Sequence, residues 1–386
     1  MTHSERMARH AQLSEALARL RDQQLAQLMG EAEPLGSGIG GATFSLALEG
    51  HQVFVKRVRL TDLERRPEHR MSTANLFQLP TFCQRNVGSV GFGVWRELAA
   101  HTMTTGWVLT RALESFPLMH HWRVLEGPEE ARAEPLPSEL SDIEAAVGHW
   151  GGSEAMRQRL QALAEAQASV IIFLEHLPFT LSGWLAQQLA AGPAALEAAC
   201  AQVERGLTVD VPQMNALGLL HGDAHFNNIL TDGHRLYFAD LGLAMSESFV
   251  LSADELGYLR EHASLDRAYV LARWTAWLAQ AFVPAAGSAQ ERMAVVRAVA
   301  QGEDVHRLMP ALPPYAAAAL SRYAPTAAVV NDFYVKLHSE CRNAPYPRDA
   351  IEALLSGLPT LRVPGGLSTA AARTRSSAPP RAPGPA

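Results

Sequence analysis

The stretch Leu220-His221-Gly222-Asp223-Ala224-His225-Phe226-Asn227-Asn228-Ile229-Leu230, followed by Tyr237-Phe238-Ala239-Asp240-Leu241-Gly242, constrains this chain more than any other. It sets a carboxylate and a carboxamide five residues apart on one loop. A short apolar strand, Leu236 to Phe238, then leads to a second carboxylate. Either piece alone would be an ordinary turn or strand end. Together, in this order, they match what phosphoryl transfer from a nucleotide requires. One carboxylate orients the attacking hydroxyl, while the carboxamide and the second carboxylate hold the magnesium that bridges the phosphates. Asp223, Asn228 and Asp240 are therefore the candidate catalytic residues, with Asn228 and Asp240 as candidate Mg2+ ligands.

A second motif lies upstream. Leu35-Gly36-Ser37-Gly38-Ile39-Gly40-Gly41-Ala42-Thr43 carries a G-x-G-x-x-G pattern on Gly36, Gly38 and Gly41. A dinucleotide-binding turn has the same pattern but needs a helix after it. Here Thr43 to Leu48 alternates like a strand, Glu49-Gly50-His51 turns, and Gln52 to Val58 reads as another strand. The glycines then sit in an antiparallel setting where backbone N–H groups can approach phosphates. Lys56 shares its strand face with Phe54 and Val58, so it is expected to point into the cleft and reach the phosphates of ATP.

A lysine in that role needs a carboxylate to hold it. Glu97, on the helix read from Val94 to Met103, is the expected partner, with Glu64 and Glu68 as alternatives nearer in sequence. The strand from Ala168 to Leu174 runs into Glu175-His176-Leu177-Pro178, where backbone groups of Glu175 and Leu177 are expected to meet adenine. Another strand is read over Phe116 to Leu125. The intervening segment, residues 68 to 93, mixes aromatics and glycines without dense charge, which predicts an ordered loop beside the nucleotide cleft.

The rest of the chain frames these motifs. Residues 3 to about 29 read as one amphipathic helix with Leu13, Leu17, Leu20 and Leu28 on a stripe. After Leu177 the pattern turns helical: Leu181 to Ala191, Ala194 to Gly218, Asp254 to His262, Leu265 to Phe282, Gln290 to Gln301 and Thr326 to His338. With 386 residues, 48% of them hydrophobic, the chain can bury a large core. A net charge of -6 without a basic run argues against nucleic acid or an anionic membrane as partner. Cys83, Cys200 and Cys341 are far apart and show no metal spacing, as expected of free thiols in a cytoplasmic protein. No apolar run is long enough to span a bilayer, and no signal peptide is visible.

His221-Gly222-Asp223-x-His225-x-x-Asn228, followed by Asp240-Leu241-Gly242, resembles the aminoglycoside/choline phosphotransferase branch of the protein-kinase-like superfamily. The resemblance spans roughly residues 35 to 280, with the specific motifs in four short segments. It implies an α+β, bilobal protein-kinase-like fold with a small antiparallel N-lobe sheet and a larger, mainly helical C-lobe. The expected parts are an N-terminal helix (1–30), the N-lobe with glycine loop and insertions (31–177), the helical C-lobe (178–364) and a disordered tail (365–386). It also implies that Asp223 is the base or the residue that orients the hydroxyl, that Lys56 binds phosphate and Glu97 positions it, and that ATP and Mg2+ are the cofactors. Gly222 replaces the arginine of protein kinases, Leu241 replaces the Phe of D-F-G, and Phe226 stands where this branch usually has Pro. No A-P-E follows, so an activation loop is not expected. The histidines His221 and His225 are read as braces of the loop, because magnesium prefers oxygen ligands.

For the acceptor, residues 72–107 and the stretch from Asn331 through Pro347 resemble the kinase subunits of class V lanthipeptide and thioamitide maturation. That resemblance implies phosphorylation of Ser or Thr in a ribosomal precursor peptide, with a partner lyase eliminating the phosphate to a dehydroamino acid. A small-molecule hydroxyl kinase and a pseudokinase scaffold are the rival readings. A cationic aminoglycoside acceptor is disfavoured, since residues 178 to 250 hold no dense acidic patch.

Overall fold

A computed structural model describes residues 1–85, 89–127, 137–283 and 288–358. The tail expected from residue 365, most of the Pro- and Glu-rich stretch after Gly127, and Gly88 of the insertion lie outside them. The chain is mixed α+β, a small antiparallel sheet followed by a mainly helical C-terminal part.

The first part runs α1 (His3–Arg19), α2 (Asp22–Gly30), β1 (Glu33–Gly38), β2 (Gly41–Leu48), β3 (His51–Leu60), α3 (Asp62–Arg65), α4 (Val94–Leu109) and β4 (Met119–Glu126), then α5 (Ser138–Ser141), α6 (Ile143–His149), α7 (Glu154–Ala164) and β5 (Ala168–Glu175). Its five strands are ordered β1-β2-β3-β5-β4. The inner strand β5 is buried along its whole length, as its unbroken apolar run requires. Ile171 and Phe173 face Leu13, Leu17, Leu25 and Met29 of α1 and α2. On the other face, Val170 and Ile172 meet Trp95 and Leu98 of α4. The sheet is thus a partition with a helix layer on each side.

Three sequence expectations change here. The N-terminal helix breaks at Leu20-Arg21, because the bend lets Leu25 and Met29 bury on the same sheet face as Leu13 and Leu17. Leu20 and Leu28 are only partly buried. The strand expected from Phe116 starts at Met119. Phe116 and Leu118 instead join the core of the helical part, with Phe116 packed on Phe238. Finally, the helix expected from Thr326 begins at Pro314 and runs through Pro325.

The second part runs β6 (Phe179–Thr180), α8 (Leu181–Ala191), α9 (Pro193–Arg205), α10 (Val211–Ala216), β7 (Leu219–Leu220), β8 (Ile229–Thr231), β9 (Leu236–Phe238), β10 (Met245–Ser246), α11 (Ala253–Glu261), α12 (Leu265–Phe282), α13 (Ala289–Ala300), α14 (Val305–Leu308), α15 (Pro314–Ser339) and α16 (Arg348–Ser356). Two small antiparallel sheets, β7 with β10 and β8 between β6 and β9, present the loops at 221–228 and 239–244 toward the larger sheet. Among the described residues, no helix is long and apolar enough to cross a membrane.

Two bolts fix the parts together. On the back edge, Arg6 of α1 donates to Glu175 (Nε at 2.9 Å, Nη2 at 2.6 Å) and to the carbonyls of Glu114 and Phe116, and its guanidinium lies over the Tyr237 ring. On the front, Arg96 of α4 donates to Glu255 of α11 at 2.6 Å and to the Thr73 carbonyl at 2.6 Å.

Candidate active site

The glycine segment folds as a hairpin whose strands meet at Gly38 and Gly41, with Ile39 and Gly40 as the turn. Gly41 has φ +119°, and a Cβ there would stand 2.3 Å from the Arg57 carbonyl oxygen, so no other residue fits. Gly36 sits at a register shift in β1, where its carbonyl accepts from the Thr43 hydroxyl at 3.2 Å. The glycine nearest the site is one outside the G-x-G-x-x-G pattern. A Cβ on Gly40 would lie 3.8 Å from Lys56 Nζ, so the turn hangs over that lysine.

Lys56 shares the β3 face of Phe54 and Val58, pointing toward α4. It is buried and donates to Glu97 Oε1 at 2.6 Å and to Asp240 Oδ1 at 2.8 Å. Burial opposes the ammonium charge, but the two carboxylates outweigh it and raise the lysine above its usual range. The alternatives to Glu97 are accounted for elsewhere. Glu64 accepts from Arg159 at 2.7 Å and caps α4 through the Val94 N–H, while Glu68 is exposed.

Across the cleft, Asn228 Nδ2 donates to Asp223, to its backbone carbonyl at 3.1 Å and to Oδ2 at 3.2 Å. That bond turns the Asn228 carboxamide oxygen away from Asp223. Burial, reinforced by the charge of Asp240, pushes the Asp223 carboxyl up to about 7. Asp240 goes the other way: Lys56 pulls it down to about 2. Two carboxylates driven apart in this manner are a mark of acid–base division of labour. Asp240 also has φ +59°, a left-handed conformation unusual for an aspartate and common where strain serves a site.

The loop is braced by groups of two kinds. His221 is fully buried and bridges the Asp223 N–H (3.3 Å) and the Ala239 carbonyl (3.0 Å), which makes Nδ1 the acceptor and Nε2 the donor. Burial lowers its pKa and keeps it neutral for that task. Asp266 of α12 accepts from the N–H groups of His221 (2.7 Å) and Gly222 (2.9 Å) and from Asn215 at 2.8 Å. Asp266 is absent from the sequence-derived set. Its signal was present, a carboxylate on the α12 stripe that continues with Val270, Trp274 and Leu278, all buried. Gly222 has φ +78°, and a Cβ there would meet the Leu243 carbonyl at 2.9 Å.

These groups enclose a cleft of about 560 Å³, with Gly38 to Gly41 above, Lys56 and Glu97 behind, and Asp223 and Asp240 below. Ser89, Val90 and Gly91 of the insertion line it as well. A Cβ on Gly91 would stand 2.8 Å from the Gly242 carbonyl, and Gln84 donates to the Leu243 carbonyl at 3.0 Å. Gly36 and Asn228 stand just outside the cleft's lining, Asn228 on Asp223, and Glu175 and Leu177 are not gathered by it either. The Glu175 carboxylate is taken by Arg6, its N–H donates to the Leu118 carbonyl at 2.8 Å, and neither residue lines the cleft. Among the described residues, no group of three or more His, Cys, Asp or Glu side chains could hold a metal ion. No protein-family model matches the chain, and no curated protein matches its sequence.

Proposed function

We propose that the chain is a phosphotransferase with a protein-kinase-like fold, moving the γ-phosphoryl group of ATP to an alcohol. The observation that carries this reading is the two-sided cleft. Lys56, held by both Glu97 and Asp240, faces an Asp223–Asn228 pair across one hollow roofed by a glycine hairpin. A scaffold that only bound nucleotide would have no use for an aspartate poised to titrate near neutrality.

In this reading the hairpin N–H groups and Lys56 grip the phosphates. Asn228 and Asp240 would hold Mg2+, since Asp240 lines the cleft and Asn228 adjoins it beside Asp223, each carries a side-chain oxygen, and Asp240 stays ionised with about half its side chain exposed. The ion, when bound, would neutralise charge on the phosphates. Ionised Asp223 accepts the proton of the acceptor hydroxyl. A bond forms from that oxygen to the γ-phosphorus as the bond to the β,γ-bridging oxygen breaks, and ADP leaves with the electron pair. Positioning and charge do most of this work.

We take the acceptor to be Ser or Thr of a precursor peptide in lanthipeptide- or thioamitide-type maturation, with a partner lyase removing the phosphate. A second hollow of about 490 Å³ supports an extended acceptor over a compact one, because it shares His225, Tyr269, Arg273 and Asn331 with the first and prolongs it into a trough. Incubation with Mg-ATP and either leader-bearing Ser/Thr peptides or hydroxylated small molecules, read by mass spectrometry, tests both levels. A phosphopeptide that disappears with Asp223→Asn is expected. An adduct on small molecules alone would replace the peptide by a metabolite, and transfer undiminished in Asp223→Asn would end the phosphotransferase reading.

A further inference from the structure

The trough beyond Asp223 has a charge pattern of its own. Its floor is formed by α12, α13 and α15. The acids that line the first hollow are Glu97, Asp223 and Asp240, which belong to the machinery already described, and no acid lines the second. Arg273 of α12 lines both hollows. It is exposed, and the residues one turn away along its helix, Tyr269, Val270, Ala276 and Trp277, offer no carboxylate. Among the described residues it has no hydrogen bond or ion pair, and its charge acts on Asp223 and His225. Arg292 of α13 lines the second hollow, adding a second cation. The wall beside Arg273 is aromatic, with the Tyr269 and Tyr334 rings 5.4 Å apart.

An arginine at a cleft mouth, with aromatic surface beside it and no acid bonded to it, suits a planar anion carried on a chain. We propose that this trough is the acceptor site and that it selects an alcohol bearing a carboxylate near its hydroxyl, gripped by Arg273. The inference rests on the phosphotransferase reading and gives it a substrate class, opposite in charge to the aminoglycosides. A carboxylate could come from Asp or Glu beside a Ser in a peptide, or from a free hydroxy acid. The Ser–carboxylate chemistry is the same in both.

The test uses the full chain with Mg-ATP and four probes: Ser peptides flanked by Glu, by Ala or by Lys, and 3-hydroxybutyrate. The Glu-flanked peptide is expected to have the highest kcat/KM. Arg273→Ala should raise its KM roughly 10- to 100-fold, the worth of one lost charge-assisted bond, and leave the KM for Mg-ATP in place. Arg273→Lys should restore part of the loss, and Arg273→Glu should shift preference to the Lys-flanked peptide. Turnover of 3-hydroxybutyrate but not of peptides would assign the carboxylate to a small molecule. Phosphorylation with no preference for Glu, or indifferent to Arg273→Glu, would overturn the inference and leave the phosphotransferase reading standing. If no probe is phosphorylated, that reading falls instead. Fluorescence anisotropy of the labelled Glu-flanked peptide then decides the trough: salt-sensitive binding weakened by Arg273→Glu upholds it, and absent or unaffected binding overturns it.

Discussion

The Arg96–Glu255 pair offers the sharpest test of how the two parts are joined. Both side chains are buried, at 2% and 1% exposure, and the pair is a single bond of 2.6 Å from Nη2 to Oε1. Arg96 also stacks over Phe92, with its charged carbon 5.2 Å from the ring centre. Removing one partner of a buried pair leaves a charge without compensation, which costs about 3–5 kcal/mol. Glu255→Gln keeps the side-chain shape and one acceptor oxygen, which can serve Arg96 or the Ser252 N–H now held at 2.9 Å but not both. The loss should therefore sit near the lower end, about 3 kcal/mol. Unfolding entropy near 2.1 cal/mol/K per residue makes that a fall in Tm of roughly 4 °C for a cooperative chain of this size. Urea unfolding followed by tryptophan fluorescence measures it directly. Arg96→Met combined with Glu255→Leu should recover most of the loss, since two apolar groups can replace a buried pair. A loss below about 1 kcal/mol in Glu255→Gln, or a double variant weaker than the single one, would refute the reasoning.

Three further outcomes follow from the same geometry. Asp223 should titrate near pH 7, far above its ordinary 3.8, and Asp240→Asn should move it down by removing a negative neighbour; carbon-detected NMR of the carboxyl checks both. Gly222→Ala should destabilise by about 1–3 kcal/mol from its backbone conformation alone, and by more because the Leu243 carbonyl must move; denaturant midpoints measure this. His120 and His262 are held neutral by burial, which lowers them from 6.5 to about 3 and about 4. The unfolded chain binds their protons first as pH falls below 6.5, so stability should decline from there toward pH 3–4, and His120→Gln should flatten part of that slope.

What could be read from the chain depended on how far apart the interacting residues lie. Strand parity placed Lys56 on the face of Phe54 and Val58, a short-range pattern, whereas its partner, 41 residues away, was left among Glu97, Glu64 and Glu68. The bounds of α8 could be read because Thr180 caps it and Gly192 ends it. Arg6 on Glu175 could not be foreseen: the two are 169 residues apart, and nothing in either neighbourhood marks the pair. Asp266 was visible in principle as a charge on an apolar stripe, but the His221 and Gly222 N–H groups that it accepts from carry no sequence signal. Pro325 misplaced the start of α15 because the local rule lost to packing. The helix keeps going since Ala316, Ala319, Tyr323 and Ala327 bury along one side.

The Arg6 clasp has a consequence for how molecules enter and leave. It ties the end of β5, the approach to β4 and the Tyr237 ring into one rigid hinge-pin, so the sheet cannot rock freely over the helices. The front bolt through Arg96 closes the other route. Breathing of the cleft is thereby left to its roof, the two-residue turn at Ile39 and Gly40, which hangs over Lys56 and rests through Ile39 on the cluster that joins the insertion to α5, α6 and α7. Exchange of an occupant of the cleft would then follow the motion of a latch a few ångströms wide, a faster and more local event than the swing of whole domains.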